Sequence, residues 1–198
     1  MILDFLFPKY CLECGKAEKY ICNKCYCKVS PCNIVNGKNL SIFKYEGVIR
    51  KAIISLKYKF AYDLTDELVD ASLKQLKKLK RSKNTILIPI PLHKYRKNWR
   101  GFNQTEIIGE KLAKAMNWRY VPDLLLRTKS TVPQVGLKGA VRRNNLSGVF
   151  SVSPNILDTT SHILLFDDVY TTGSTINEAK KVLTEAGFIN IKSLTIAR

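Results

Sequence analysis

A mostly parallel α/β sheet with helices on both faces, preceded by a small cysteine-rich module, is the architecture this sequence predicts. Three observations carry it. The stretch ILLFDDVYTTGST, residues 163–175, sets an unbroken apolar run against two adjacent aspartates and a small polar loop. A second compact apolar run, TILIPIP at 85–91, lies between segments of helical periodicity. All six cysteines fall between residues 11 and 32.

From the N-terminus, Cys11-x-x-Cys14 and Cys22-x-x-Cys25 form two knuckles, and each knuckle can place two thiolates on one tetrahedral Zn²⁺. A segment this small has almost no core of its own, so ligation, worth an apparent ~10–16 kcal/mol, has to fold it. Without metal it is expected to be disordered. A disulfide framework does not suit the cytosolic location expected below, and a redox CxxC does not suit two pairs. Cys27 and Cys32 remain, and on sequence grounds either can replace Cys25 as a ligand. The expected division is a zinc module at 8–33, within a unit of residues 1–37, followed by the α/β domain at 38–198.

Next, GVIRKAIISLKYKF at 47–60 places Val48, Ile49, Ala52, Ile53 and Leu56 on one helical face and ends in cations, which suits the negative end of a helix dipole. A second helix is predicted over about 63–81, with a late lysine cluster on its solvated side. The 85–90 strand ends at prolines, and HKYRKNWRGFNQTE reads as a basic aromatic loop before a helix capped by Asn103, with Glu106 at the reciprocal capping-box position. A glycine turn and a cap explain Gly101 and Asn103 but leave Arg100 and Gln104 without a reason. Toward the C-terminus, strands are predicted over 163–167 and 191–196. Between them Ile176, Ala179, Val182, Leu183 and Ala186 recur at helical spacing until Gly187.

The chemistry concentrates between that strand and that helix. An apolar run of four residues suits a parallel strand buried on both faces. The loop after it precedes a helix N-terminus, where backbone N–H groups and the dipole bind a phosphate without any lysine. Gly173 lets the backbone come close. Asp167 and Asp168 stand at the carboxyl end of the strand, where α/β sheets present their ligands, and as ionised acceptors they suit vicinal hydroxyls or a metal. A phosphate beside two hydroxyls describes a ribose 5-phosphate. The Gly-Lys-Ser/Thr ending of a P-loop is absent.

The 13-residue order resembles the binding motif for phosphoribosyl pyrophosphate (PRPP) of the type I phosphoribosyltransferases. With the knuckle pair, LKYKF, PIPL leading to RGFNQ, and this motif in that order, nearly the whole chain resembles the ComF family. The resemblance implies a phosphoribosyltransferase-like fold that binds PRPP with Mg²⁺ and carries a structural zinc. The implied PRPP residues are Asp167, Asp168, Val169, Tyr170, Thr171, Thr172, Gly173, Ser174 and Thr175, with Lys57, Tyr58, Lys59 and Arg100 beside the pyrophosphate. Gln134, Arg142 and Arg143, in the polar stretch QVGLKGAVRRNNLSG, correspond to a lid. The implied role is natural transformation, bringing single-stranded DNA into the cytoplasm alongside other DNA-uptake proteins. The resemblance implies no acceptor base, and His93 and His162 are lone histidines that read as structural. Two roles follow, a transferase of phosphoribose and a binding protein that keeps the PRPP pocket. The reading favours the second.

Composition bounds the rest. The chain of 198 residues carries a net charge of +17, and residues 1–100 hold 21 Lys/Arg against 8 Asp/Glu. Such a surplus suits a polyanion. Lys94, Arg96, Lys97 and Trp99, with Tyr10, Tyr20, Tyr26 and Tyr95 among the cations, form the expected surface for single-stranded DNA. No apolar stretch approaches the ~20 residues of a membrane helix, and the short apolar N-terminus, with Asp4 and no basic leader, makes a poor signal peptide. A soluble cytoplasmic protein is expected.

Overall fold

The computed structural model describes residues 8–32, 34–35, 39–58, 62–77, 84–128, 148–154 and 158–198. In chain order these form α1 (Asn23–Tyr26), β1 (Ile34–Val35), β2 (Asn39–Phe43), α2 (Gly47–Tyr58), α3 (Leu64–Leu76), β3 (Thr85–Pro89), α4 (Lys94–Arg100) and α5 (Gln104–Met116). The remaining elements are β4 (Arg119–Tyr120), β5 (Leu125–Arg127), β6 (Phe150–Val152), β7 (His162–Val169), α6 (Ser174–Glu185) and β8 (Asn190–Ala197). Among the described residues, one sheet runs β1-β2-β8-β7-β3-β4 and a separate ribbon pairs β5 with β6. Every neighbour pair from β2 to β4 is parallel and only β1 is antiparallel. Among the described residues, no helix is long and apolar enough to cross a membrane.

The predicted strands are all present, and each extends to within a residue or two of its expected ends. Their two-residue period sorts side chains onto two faces. Leu87 and Phe166 join one apolar cluster, with α2, α3 and α5 packed over it. Ile86, Ile88, Ile163 and Leu165 join the other, covered by α6 and the β5–β6 ribbon. Both faces are therefore buried, which is why the central strands read as continuous apolar runs. On the first face, α5 lies close to the sheet. A Cβ added at Gly109 would meet Leu87 at 3.1 Å and Phe166 at 3.2 Å.

The cysteine segment is not an isolated bead. Cys11, Ile21, Cys22 and Cys25 belong to the same apolar cluster as Leu64 and Leu68 of α3. The Glu67 carboxylate of α3 accepts from the N–H groups of Tyr20 (3.1 Å) and Ile21 (2.7 Å). Tyr26 donates to the Ala71 carbonyl at 3.3 Å. The module thus has little core of its own but shares a large one.

One predicted loop contains a helix. The basic aromatic segment after β3 forms α4, whose first turn is capped by the His93 ring, with Nδ1 accepting from the Tyr95 N–H at 3.2 Å. The missed signal is this histidine cap, ahead of a segment with no apolar periodicity. Tyr20 and Tyr26 pack against the first cluster and are not free stacking platforms. Tyr10, Tyr95 and Trp99 are exposed.

Candidate functional site

Asp167 and Asp168 are the last residues of β7 but one. Because β3 runs parallel to β7 with Pro89 opposite Phe166, the segment after β3 emerges at the same edge of the sheet. So do the C-terminal end of α2 and the N-terminal ends of α5 and α6, whose side chains or loops meet there. Four connections converge on one edge, the place where parallel sheets present their ligands.

At its centre is Asp168, 6% exposed. Its two carboxylate oxygens take different donors: Lys57 Nζ reaches Oδ1 at 2.8 Å and Gln104 Nε2 reaches Oδ2 at 2.7 Å. Burial works against the Lys57 ammonium, but the charge of Asp168 and its hydrogen bond outweigh that and hold the Lys57 pKa above the ordinary lysine value. Asp167 is in a different state. Burial, together with the charge of Asp168, pushes its pKa up to about 7, against the opposing pull of Lys57, the Asp168 N–H and Arg127 of β5. Two adjacent acids thus differ in environment, one neutralised by a cation and one inclined to keep its proton near neutrality.

Beyond the pair, Tyr170 turns away under the Arg198 guanidinium, 5.9 Å from its ring centroid. Thr171 and Thr172 are exposed, Gly173 is buried, and Ser174 and Thr175 open α6 half-buried. Gly173 is the N-cap of α6 at φ +76 and supplies no capping side chain, and no acid occupies the first turn. The first-turn N–H groups of a helix have no intrahelical acceptor, so this end is suited to an outside anion. Thr172 Oγ1 and Ser174 Oγ lie 2.7 Å apart at the mouth. A Cβ at Gly173 would fall on the Tyr170 hydroxyl and 2.7 Å from its Cζ.

Gln104 is the residue that sequence reasoning left without a role. Its placement follows from the cap before it. The Asn103 side chain accepts from the Thr105 N–H (3.1 Å) and donates to the Ile90 carbonyl (3.2 Å), while Thr105 Oγ1 donates to the same carbonyl at 2.8 Å. Ile90 N–H in turn donates to Phe166 O of β7 at 2.8 Å. The start of α5 is therefore pinned to the edge that carries the acids. Glu106 does not complete the expected box to the backbone; it accepts from the Asn103 side chain at 3.1 Å and from Lys97 at 2.8 Å.

Of the other predicted residues, those described lie on α2 and α4. Tyr58 ends α2, exposed. Lys94 and Trp99 lie exposed on α4, and Lys97 is tied to Glu106. Of Arg96 and Arg100 only the backbone is described, and Lys59, Gln134, Arg142 and Arg143 lie outside the described residues. The β5–β6 ribbon brackets the stretch that carries the last three.

The cysteines form a second centre. The Sγ atoms of Cys11, Cys14, Cys22 and Cys25 all lie within 4.8 Å of one another, with Cys14 and Cys22 at 3.6 Å. A regular tetrahedron on Zn–S bonds of ~2.3 Å requires sulfurs about 3.8 Å apart, so the four fit one ion. Exposed Cys27 and half-buried Cys32 stay outside this cluster, which favours Cys25 as the fourth ligand. Burial opposes ionisation of Cys11, but N–H groups of Cys14, Cys22 and Glu13 bring its pKa down to about 6. Burial and thiol contacts push Cys25 up to about 12. A divalent cation among them removes that opposition.

No family model matches the chain. Competence protein F of Haemophilus influenzae is 37% identical over 114 residues, 57% of this chain and about half (49%) of that protein's length. Competence protein ComFC of Streptococcus pneumoniae is 32% identical over 191 residues, 95% of this chain and 80% of that protein. DNA utilization protein YhgH of Escherichia coli O6:H1 is 24% identical over 203 residues, 95% of this chain and 88% of that protein. Among solved structures, adenine phosphoribosyltransferase of Saccharomyces cerevisiae is similar with a TM-score of 0.38 and 17% identity, over 67% of this chain and 64% of that one. That of Trypanosoma brucei has a TM-score of 0.40 and 12% identity, over 86% and 64%.

Proposed function

This chain belongs to the ComF family of competence proteins, and from that premise we propose that it binds PRPP and single-stranded DNA and supports uptake of that DNA into the cytoplasm. The observation that carries the PRPP reading is the acidic pair at the end of β7 directly ahead of a helix N-terminus whose cap, Gly173, brings no side chain and no charge. In this reading Asp167 and Asp168 take the ribose hydroxyls and residues 171–175 enclose the 5-phosphate. Lys57, Tyr58, Lys59 and Arg100 flank the pyrophosphate, and Gln134, Arg142 and Arg143 belong to a covering lid. Mg²⁺ accompanies PRPP and supplies charge neutralisation on the pyrophosphate.

Residues 1–37 serve as the zinc module and 38–198 as a phosphoribosyltransferase-like domain. Exposed α4, with Lys94, Lys97 and Trp99, adjoins the same sheet edge and offers cations and a stacking ring to a single strand. Other DNA-uptake proteins are its partners. The second reading, a transferase that moves phosphoribose onto a nucleobase-like acceptor, is favoured by the completeness of the acidic pair and loop.

Calorimetry with PRPP and Mg²⁺ tests the site. Replacing Asp167 and Asp168 together by Ala should weaken binding at least tenfold, about 1.4 kcal/mol; unchanged affinity refutes the assignment. A pyrophosphate-release screen over candidate bases then separates the two readings, since steady turnover with any base selects the transferase and silence with all of them the binding protein.

A further inference from the structure

We infer that Gln104 is a positioning residue that fixes Asp168 as an acceptor for the ligand's hydroxyls, with its side-chain amide holding one carboxylate oxygen while Lys57 holds the other. This rests on the PRPP reading of the site. The geometry is specific. Gln104 is 3% exposed, sits at the first position of α5, and its Nε2 lies 2.7 Å from Asp168 Oδ2. A carboxylate demands a donor, so the amide nitrogen, not its oxygen, faces Asp168. Each carboxylate oxygen has two lone pairs, so one donor apiece orients the group and leaves acceptor capacity on both oxygens.

The cap network explains why this residue and no neighbour does the work. Asn103 and Thr105 are both bound to the Ile90 carbonyl, so the backbone on either side of Gln104 is immobilised against β3. Gln104 itself is left to reach across to β7. Among the described residues, the charged and titratable groups that face the acidic pair are Lys57 of α2 and Arg127 of β5, while Tyr45 ahead of α2 faces Lys57.

Gln104→Glu keeps the shape and turns donation into a function of pH. Protonated, its hydroxyl replaces the amide as a donor to Asp168; ionised, it opposes Asp168. Affinity for PRPP with Mg²⁺ is measured by calorimetry for the wild type and Q104E from pH 5 to 8.5, and the ratio of the two is read, because titration of the free ligand is common to both proteins. The ratio is expected to lie within about threefold of one at the acid end and to fall more than tenfold at the alkaline end. A ratio that is flat across the range overturns the inference while leaving the PRPP reading standing. A wild type that binds no PRPP at any pH overturns the reading itself, and the inference with it. Should Q104E fail to fold, Gln104→Met carries the test: loss of the donor should weaken binding about three- to tenfold at every pH, and unchanged affinity overturns the assignment.

Discussion

Gly173→Ala probes the hinge between the acidic pair and the phosphate loop. The residue sits at φ +76 as the N-cap of α6. Holding an L-residue in that left-handed region costs roughly 1–2 kcal/mol. The new methyl also collides with Tyr170, 2.7 Å from Cζ and 3.2 Å from Cε2. Tyr170 has little freedom to yield, because its backbone N–H is bound to the Ala197 carbonyl at 2.8 Å and its ring lies under Arg198. Overpacking of this kind costs roughly 1–3 kcal/mol, so the total is about 2–5 kcal/mol against a typical domain stability of 5–15.

The two contributions separate in a double-mutant cycle. Urea unfolding by circular dichroism is followed for wild type, Gly173→Ala, Tyr170→Ala and the double variant at one pH. With the ring gone only the backbone cost remains, so a coupling of about 1–3 kcal/mol between the sites is expected. Additivity to within ~0.5 kcal/mol, or a Gly173→Ala protein as stable as wild type, would refute the steric argument.

Asp167 predicts a pH dependence of stability. Its folded pKa, pushed up to about 7, exceeds the ordinary 3.8, so the folded state holds the proton more tightly. The stability it contributes is complete below about pH 4 and is lost as pH rises to about 7; Asp167→Asn should flatten that decline in a series of urea titrations, and an unchanged slope counts against the raised pKa. For the metal, purified protein should contain one zinc per chain by elemental analysis, and Cys11→Ser should lose both the metal and at least part of the thermal stability; full retention of either sinks the four-cysteine site. For nucleic acid, log affinity for mixed oligonucleotides should fall linearly with log salt, and neutralising Lys94, Arg96 and Lys97 together should reduce the slope by about 1.4, two phosphates at ~0.7 each, because Lys97 is already paired with Glu106. Identical slopes in an anisotropy titration exclude α4 as the contact surface.

What the sequence makes legible follows from how local the cause is. The central strands and α6 announce themselves because burial on both faces, or on one helical stripe, writes a continuous or 3.6-period pattern into adjacent residues. The knuckles are legible because the two Cys-x-x-Cys spacings that bring four Sγ atoms together are local in sequence. The short strands β1, β4, β5 and β6 have two or three residues each, too few for any period to show. Gln104 was visible as a residue its cap did not explain, but its partner lies 64 positions away, and only parallel pairing of β3 with β7 brings them together. Lys57 read as a helix-terminal cation for the same reason: its carboxylate is 111 positions distant.

The cysteine segment shows the same point in reverse. Sequence treats it as a unit folded by metal alone, since its own residues supply no core. In the fold its buried cysteines share a cluster with α3, and α3 is tied to α5 by Lys111, which donates to Asp66 at 2.6 Å and to Thr65 at 3.2 Å. Free energy from ligation, an apparent ~10–16 kcal/mol, is comparable with the whole stability of an ordinary domain. The module is bound to α3 through Glu67, which accepts from two of its N–H groups, and it covers an apolar face of α3, so loss of a metal from the cysteines would be expected to loosen that cover. That face belongs to the same cluster that seats α5, the helix whose first residue holds Asp168. The four-cysteine cluster and the acidic edge are thus two ends of one packed layer, and a zinc ion held by Cys11, Cys14, Cys22 and Cys25 would brace the layer on which Gln104 is mounted.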